Sequence, residues 1–164
     1  SPSRRRSTTQ SHFRWTKAGG LVEIASASWR SETQLSVDGS VVLGSLVPDG
    51  DGDSVAFRWT EATGAVELTP GTTSLATAMS DDGNVIVATS WEDAQNDGAF
   101  PEATFIWDLD HGTRTLDEVL EDRGVDASGW EFGHARALSD DGKVLLGRAR
   151  CGGVPALYRI VLSD

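Results

Sequence analysis

Three stretches of this chain repeat the same ordered set of residues, and that recurrence limits its possible folds more than any other feature. Phe13-Arg14-Trp15, Phe57-Arg58-Trp59 and Phe105-Ile106-Trp107 are each followed, nine positions after the Trp, by Ile24, Leu68 or Leu116. Each stretch later carries a Ser-x-Asp-Gly turn: Ser36-Val37-Asp38-Gly39, Ser80-Asp81-Asp82-Gly83 and Ser139-Asp140-Asp141-Gly142. The three Trp residues are 44 and 48 positions apart. A period in the forties marks an array of supersecondary units, each of which buries its apolar face only against a neighbour.

Within a unit the residues predict strands and tight turns. In Val55-Ala56-Phe57-Arg58-Trp59 the alternate residues Val55, Phe57 and Trp59 share a face. A turn at Thr60–Gly64 and a second alternating run, Ala65-Val66-Glu67-Leu68, follow. Ala76–Ser80, then Asp82-Gly83, then Val85-Ile86-Val87-Ala88 read as a hairpin, because Gly takes the positive φ of the turn and Asp tolerates it while bonding its own backbone. Each unit is therefore expected to be a four-stranded antiparallel meander. Units run over about 12–54, 55–103 and 104–154, and 155–162 matches the first strand of a fourth.

Four strands in about 40–50 residues is the size of one propeller blade. The expected fold is all-β: a β-propeller-like array of three four-stranded blades plus one extra strand, in a single repeat domain over 12–164. A β-trefoil, which also uses three four-stranded units, is the alternative. Thirteen strands are too few for most closed rings, so the array is expected to be an arc, completed by a second copy of itself or by a partner chain. The only Met is Met79, which fits a processed chain or a fragment.

The formal net charge is −11. Within residues 1–30, Arg4, Arg5, Arg6, Arg14, Lys17 and Arg30 face a single acid, Glu23, so the remainder is more acidic than the total. Such a body repels phosphates and anionic membrane surfaces, which argues against nucleic acid as a partner. No run approaches the roughly 20 apolar residues of a membrane helix, so no membrane insertion is expected. Residues 1–11, with Arg4-Arg5-Arg6 and no apolar periodicity, read as a basic tail or linker. Cys151 is alone and forms no internal disulfide.

The unit resembles the bacterial extracellular HAF repeat family, named for a His-Ala-Phe triplet ahead of the Trp. Here the triplet reads Val55-Ala56-Phe57 in the second unit and Ser11-His12-Phe13 in the first. The fullest match is the last unit: Leu116 to Leu120, Gly124-Val125-Asp126, Ser128-Gly129-Trp130, Ala135, Ala137-Leu138-Ser139, Asp141-Gly142, Val144 to Gly147 and Ala156. The resemblance covers about residues 11–163. It implies a C-terminal arc of such an array in a secreted or surface-exposed bacterial protein, with no catalytic residues to carry over.

In a meander the short first connections and the Asp-Gly turns share one rim, and the variable loops share the other. Those loops, at about 25–31, 69–76 and 117–134 and at 47–54, 91–103 and 149–154, are where function collects. Trp29, Trp91 and Trp130 fall in or beside them, among acids that include Asp97. Aromatic platforms beside carboxylates suit a sugar or a cationic peptide, by stacking and cation–π contact. The competing reading makes each Trp a packing residue. Asp49-Gly50-Asp51-Gly52-Asp53 places three carboxylates at alternate positions, as a calcium loop would, although Ser54 and Thr60 stand where an EF-hand needs Gly and Glu. A solvated acidic turn is the plainer alternative, and no other cofactor is indicated.

Catalytic constellations are poor. His12, His111 and His134 are scattered, and no base neighbours the repeated Ser residues, whose recurrence points to turn chemistry. The expected function is a secreted or surface-exposed binding or assembly module with carbohydrate or peptide on the long-loop rim. The alternative is a polysaccharide hydrolase or lyase that uses rim carboxylates.

Overall fold

The computed structural model describes residues 10–27, 33–47, 53–90 and 103–162. In them the chain forms thirteen strands and one helix. Strands β1 (Gln10–Thr16) and β2 (Gly20–Ala27) pair as a first sheet. The second sheet runs in chain order through β3 (Gln34–Leu35), β4 (Val41–Leu46), β5 (Val55–Thr60) and β6 (Gly64–Glu67). The third does the same through β7 (Ser74–Met79), β8 (Val85–Ser90), β9 (Thr104–Asp108) and β10 (Gly112–Thr115). Helix α1 (Leu116–Asp122) leads to the fourth sheet: β11 (Trp130–Leu138), β12 (Val144–Cys151) and β13 (Val154–Val161). All pairings are antiparallel, so the all-β expectation holds.

The sheets are out of phase with the sequence repeat by two strands. Each four-stranded sheet takes the last two strands of one unit and the first two of the next, with Val42 opposite Trp59 and Ile86 opposite Trp107. The reason lies in the aliphatic residue nine places after each Trp. Leu68 and Leu116 are buried in the cores between sheets. There the chain leaves one sheet and steps to the next, whereas the connection that follows each Asp-Gly hairpin, only Gly152-Gly153 in the third case, stays within a sheet.

Each four-stranded sheet packs one face backward and the other forward. Across the first junction Ile24 and Ala25 of β2 pack on Val42, Phe57 and Trp59, with Leu46 of β4 beside them. Across the second, Leu43, Ala56 and Leu68 meet Ile86, Ala88, Phe105 and Trp107. Across the third, Val87, Ile106 and the helix residues Leu116, Val119 and Leu120 meet Phe132, Leu145 and Tyr158. Full burial of each large side chain is worth roughly 1.5–3 kcal/mol, which is what stacking supplies and a lone meander lacks. Trp59 is buried and Trp107 half-buried, but Trp15, on the outward face of the first sheet, is 68% exposed, contrary to the expectation that all three pack on neighbours.

The Asp-Gly turns form the second register of the array. In each, the Ser hydroxyl donates to the Asp carboxylate, at 2.7, 2.6 and 2.6 Å for Ser36, Ser80 and Ser139. Each Ser oxygen also accepts a backbone N–H five residues on, from Val41, Val85 and Val144. Gly39, Gly83 and Gly142 hold φ near +70°, while the Asp residues stay at negative φ, so only Gly supplies the left-handed position. Successive turns are then tied together: Val37 N–H donates to Asp81 O and Asp81 N–H to Asp140 O, both at 2.8 Å.

Candidate functional site

The long-loop rim is where a ligand site is expected, and the described part of it centres on Trp130. Trp29, Trp91, Asp97, Asp49 and Asp51 lie outside the described residues. Asp53 is described and exposed. Among the described residues no three His, Cys, Asp or Glu side chains converge as a metal site would require.

Trp130 is held by its backbone and by its neighbours. The stretch predicted as loop contains α1, which starts at a reciprocal cap: Glu118 N–H donates to Thr115 Oγ1 at 3.2 Å and Thr115 N–H to Glu118 Oε2 at 2.7 Å. The helix ends at Asp122 with Arg123 as its C-cap; Gly124 N–H then donates to Glu121 O, and Val125 N–H returns to Leu120 O. Trp130 N–H then donates to Ala127 O at 3.0 Å. The indole stacks on Phe132, with centroids 6.0 Å apart and planes within 8°, and Phe132 meets Tyr158 edge-on at 5.4 Å. These three rings, with Leu120, Val125 and Asp126, line a groove of about 330 Å³ between the α1 loop and the backward face of the fourth sheet. Trp130 is 37% exposed, so it both packs and presents a ring to the groove.

The polar groups of the groove are tuned in opposite directions. Asp126 accepts Ser128 N–H at 2.9 Å, and hydrogen bonds from Ser128, side chain and backbone, hold its carboxyl below the usual range. It is a good acceptor for a hydroxyl or a cation and a poor proton donor. Burial pushes the Tyr158 hydroxyl up to about 12, opposed more weakly by the Thr104 hydroxyl. That hydroxyl is buried and makes no hydrogen bond of good geometry, and the groove offers an apolar aromatic floor flanked by two exposed charges, Asp126 and Arg159.

At the opposite rim stands a cluster that the sequence did not reveal. Asp108 accepts His111 Nδ1 at 2.8 Å and Arg114 Nη2 at 3.0 Å, and Arg114 Nη1 donates to Asp122 of α1 at 2.9 Å. Burial would raise the Asp108 carboxyl, but the hydrogen bonds from His111 and Arg114 outweigh it together, and the group is held below the usual range. The cluster anchors α1 to the turn between β9 and β10. Two further contacts recur along the stack: Arg14 lies 5.5 Å from the Trp59 ring centroid and Arg58 lies 4.8 Å from that of Trp107. The Arg of each Phe-Arg-Trp strand thus covers the Trp of the next, a pairing that spacing alone could not show.

No protein-family model and no curated protein matches the chain. Solved structures do. A TolB structure from Agrobacterium tumefaciens aligns over 93% of this chain and 51% of its own, at 16% identity and a TM-score of 0.55. The fold is TolB-like. TolB from Acinetobacter baumannii aligns over 95% of this chain and 41% of its own, at 16% identity and a TM-score of 0.52. TolB is a β-propeller protein, so of the two expected folds the stacked, propeller-like one is supported. The chain spans about half of one TolB structure and two-fifths of the other. Identity this low speaks for the fold alone. Among the described residues no helix is long and apolar enough to cross a membrane.

Proposed function

We propose that this chain is an arc of a propeller-type module that works by binding, in a secreted or surface-exposed bacterial protein, and that it takes carbohydrate or peptide in the Trp130 groove. One observation carries the reading: an indole 37% exposed, stacked on Phe132 at the margin of an apolar groove, with the ionised Asp126 beside it. A ring so held loses little entropy when a sugar face or a cationic side chain stacks on it. The carboxylate accepts hydrogen bonds from hydroxyls or ammonium groups next to that stack.

A glycan and peptide array followed by titration of the best binder, read by tryptophan fluorescence, tests this. Trp130→Ala should weaken binding at least about tenfold, and Asp126→Asn by a smaller factor, the latter most for cationic ligands. Binding that both substitutions leave intact would remove the groove as the site.

A further inference from the structure

The Trp130 groove opens from an inner junction of the stack, and this chain walls it on both sides. One wall is the end of α1 and the loop after it, with Leu120, Val125 and Ala127. The other is β13, with Ile160, and the buried rings of Phe132 and Tyr158 lie between the two. Val125 is 49% exposed, so the loop wall turns bare apolar surface towards the opening.

Hydrogen-bonding groups are scarce inside it. Val125 N–H is already bonded to Leu120 O and Trp130 N–H to Ala127 O, so those donors of the loop wall are engaged. The Tyr158 hydroxyl is turned onto Gly147, against the space that a Cβ would fill there. A pyranose carries a hydroxyl on nearly every ring carbon, and each one turned towards Leu120, Val125 or Ile160 would be buried without a partner, which is costly. An aliphatic or aromatic side chain meets no such cost. Seated on the Phe132 and Tyr158 rings, it removes apolar surface from water on both partners.

The charges at the margins decide what flanks that side chain. Asp126 belongs to the loop wall, where Ser128 N–H fixes its carboxylate at 2.9 Å, and Arg159 belongs to the strand wall. Both are exposed, and neither forms an ion pair with a described residue. Opposite charges on opposite walls are complementary to a ligand that carries both signs, and a peptide presents an apolar side chain with a cation and an anion a few residues to either side. Resting on the reading of this groove as the ligand site, we propose that its occupant is a peptide segment with one aliphatic or aromatic anchor in the groove, a Lys or Arg over Trp130 beside Asp126, and an Asp or Glu against Arg159. The indole and the carboxylate together hold the cation, by its attraction to the ring face and by a charged hydrogen bond. The net charge of −11 favours approach of the basic end.

Fluorescence polarisation tests this with the 164-residue chain and labelled, end-capped short peptides, each with a central Phe and with Lys and Glu placed at varied distances on opposite sides of it. Members of this set are expected to bind, and exchanging the central Phe for Ser in the best of them should weaken it at least about tenfold. Arg159→Glu, at an exposed position, should exchange the preference on its side, so that the peptide with Lys in place of Glu becomes the better binder. Asp126→Lys should do the converse for the peptide's Lys. A variant that failed to fold would lose both peptides instead of exchanging them. Peptide binding that ignores both charge reversals would overturn the proposal. Binding of neutral oligosaccharides that depends on Trp130, with no peptide bound, would overturn it too and leave the groove as the site. Binding of either class that Trp130→Ala leaves intact would remove the groove and this proposal with it.

Discussion

The ring of Phe57 lies directly on Gly44 of the neighbouring strand: a Cβ built at Gly44 would stand 2.8 Å from Phe57 Cε1. Gly147 lies under Tyr158 in the same way. The Gly that ends the apolar run after two of the three Asp-Gly turns is therefore there to admit an aromatic ring. Gly44→Ala should destabilise the fold by about 1–3 kcal/mol in urea denaturation, since the ring is fully buried and has nowhere to move. Pairing it with Phe57→Leu should restore part of the loss, and strict additivity would refute the contact.

Arg58 combines a charge and a stem over Trp107, and its Nε–H also donates to Gly83 O at 3.3 Å. Arg58→Ala is expected to cost about 1–2 kcal/mol, and Arg58→Met less, because the aliphatic stem keeps its packing. Thermal melts of the two variants separate these contributions. Equal losses would mean that the cation adds nothing.

The Asp-Gly turns set the acid limit of the fold. Hydrogen bonds from Ser40, then Ser36, lower the Asp38 carboxyl from 3.8 to about 2. Asp82 and Asp141 are lowered as well, chiefly by the hydroxyls of Ser80 and Ser139. A carboxyl depressed in the folded state contributes its stability above its unfolded pKa and loses it as the pH falls through the folded one. Asp38→Asn should therefore lower stability at neutral pH and flatten its decline between about 4 and 2. An unchanged pH profile would show that the turn does not hold the charge.

Tyr158 sets the corresponding limit at high pH. Its hydroxyl is buried without a hydrogen bond of good geometry, and burial, opposed only weakly by the Thr104 hydroxyl, raises it from 10.0 to about 12. The raised group supports the fold below its unfolded pKa, and that support fades as the pH climbs from about 10 to 12. Tyr158→Phe should keep or raise stability at neutral pH, by up to about 1 kcal/mol, and remove the alkaline loss in that window. A clear destabilisation at pH 7 would reveal a hydrogen bond to the hydroxyl.

Much of the fold was legible because strands and turns are written locally. Alternation in Val55–Trp59, the Ser-x-Asp-Gly turns and the apolar runs after them each depend on neighbours a few residues apart. Helix α1 was also legible in principle, through Thr115 with Glu118 three places on, ahead of Val119 and Leu120. The Trp130 groove was legible only as a residue in a loop. Its stack on Phe132 and the edge contact with Tyr158 join residues whose sequence separation ranges from two to more than twenty.

The sequence by itself determined that this chain is an all-β array of equal units, because periodic aromatic strands with glycine turns allow little else. Only the tertiary structure decided where one sheet ends and the next begins. The repeat starts at the Phe-Arg-Trp strand, but the sheet starts two strands earlier. The boundary belongs to the place where Leu68 and Leu116 plug a core, and burial between sheets is a property of the stack rather than of any one unit. The same holds for Arg58 over Trp107 and for Val37 bound to Asp81, contacts that pass from each unit to the next.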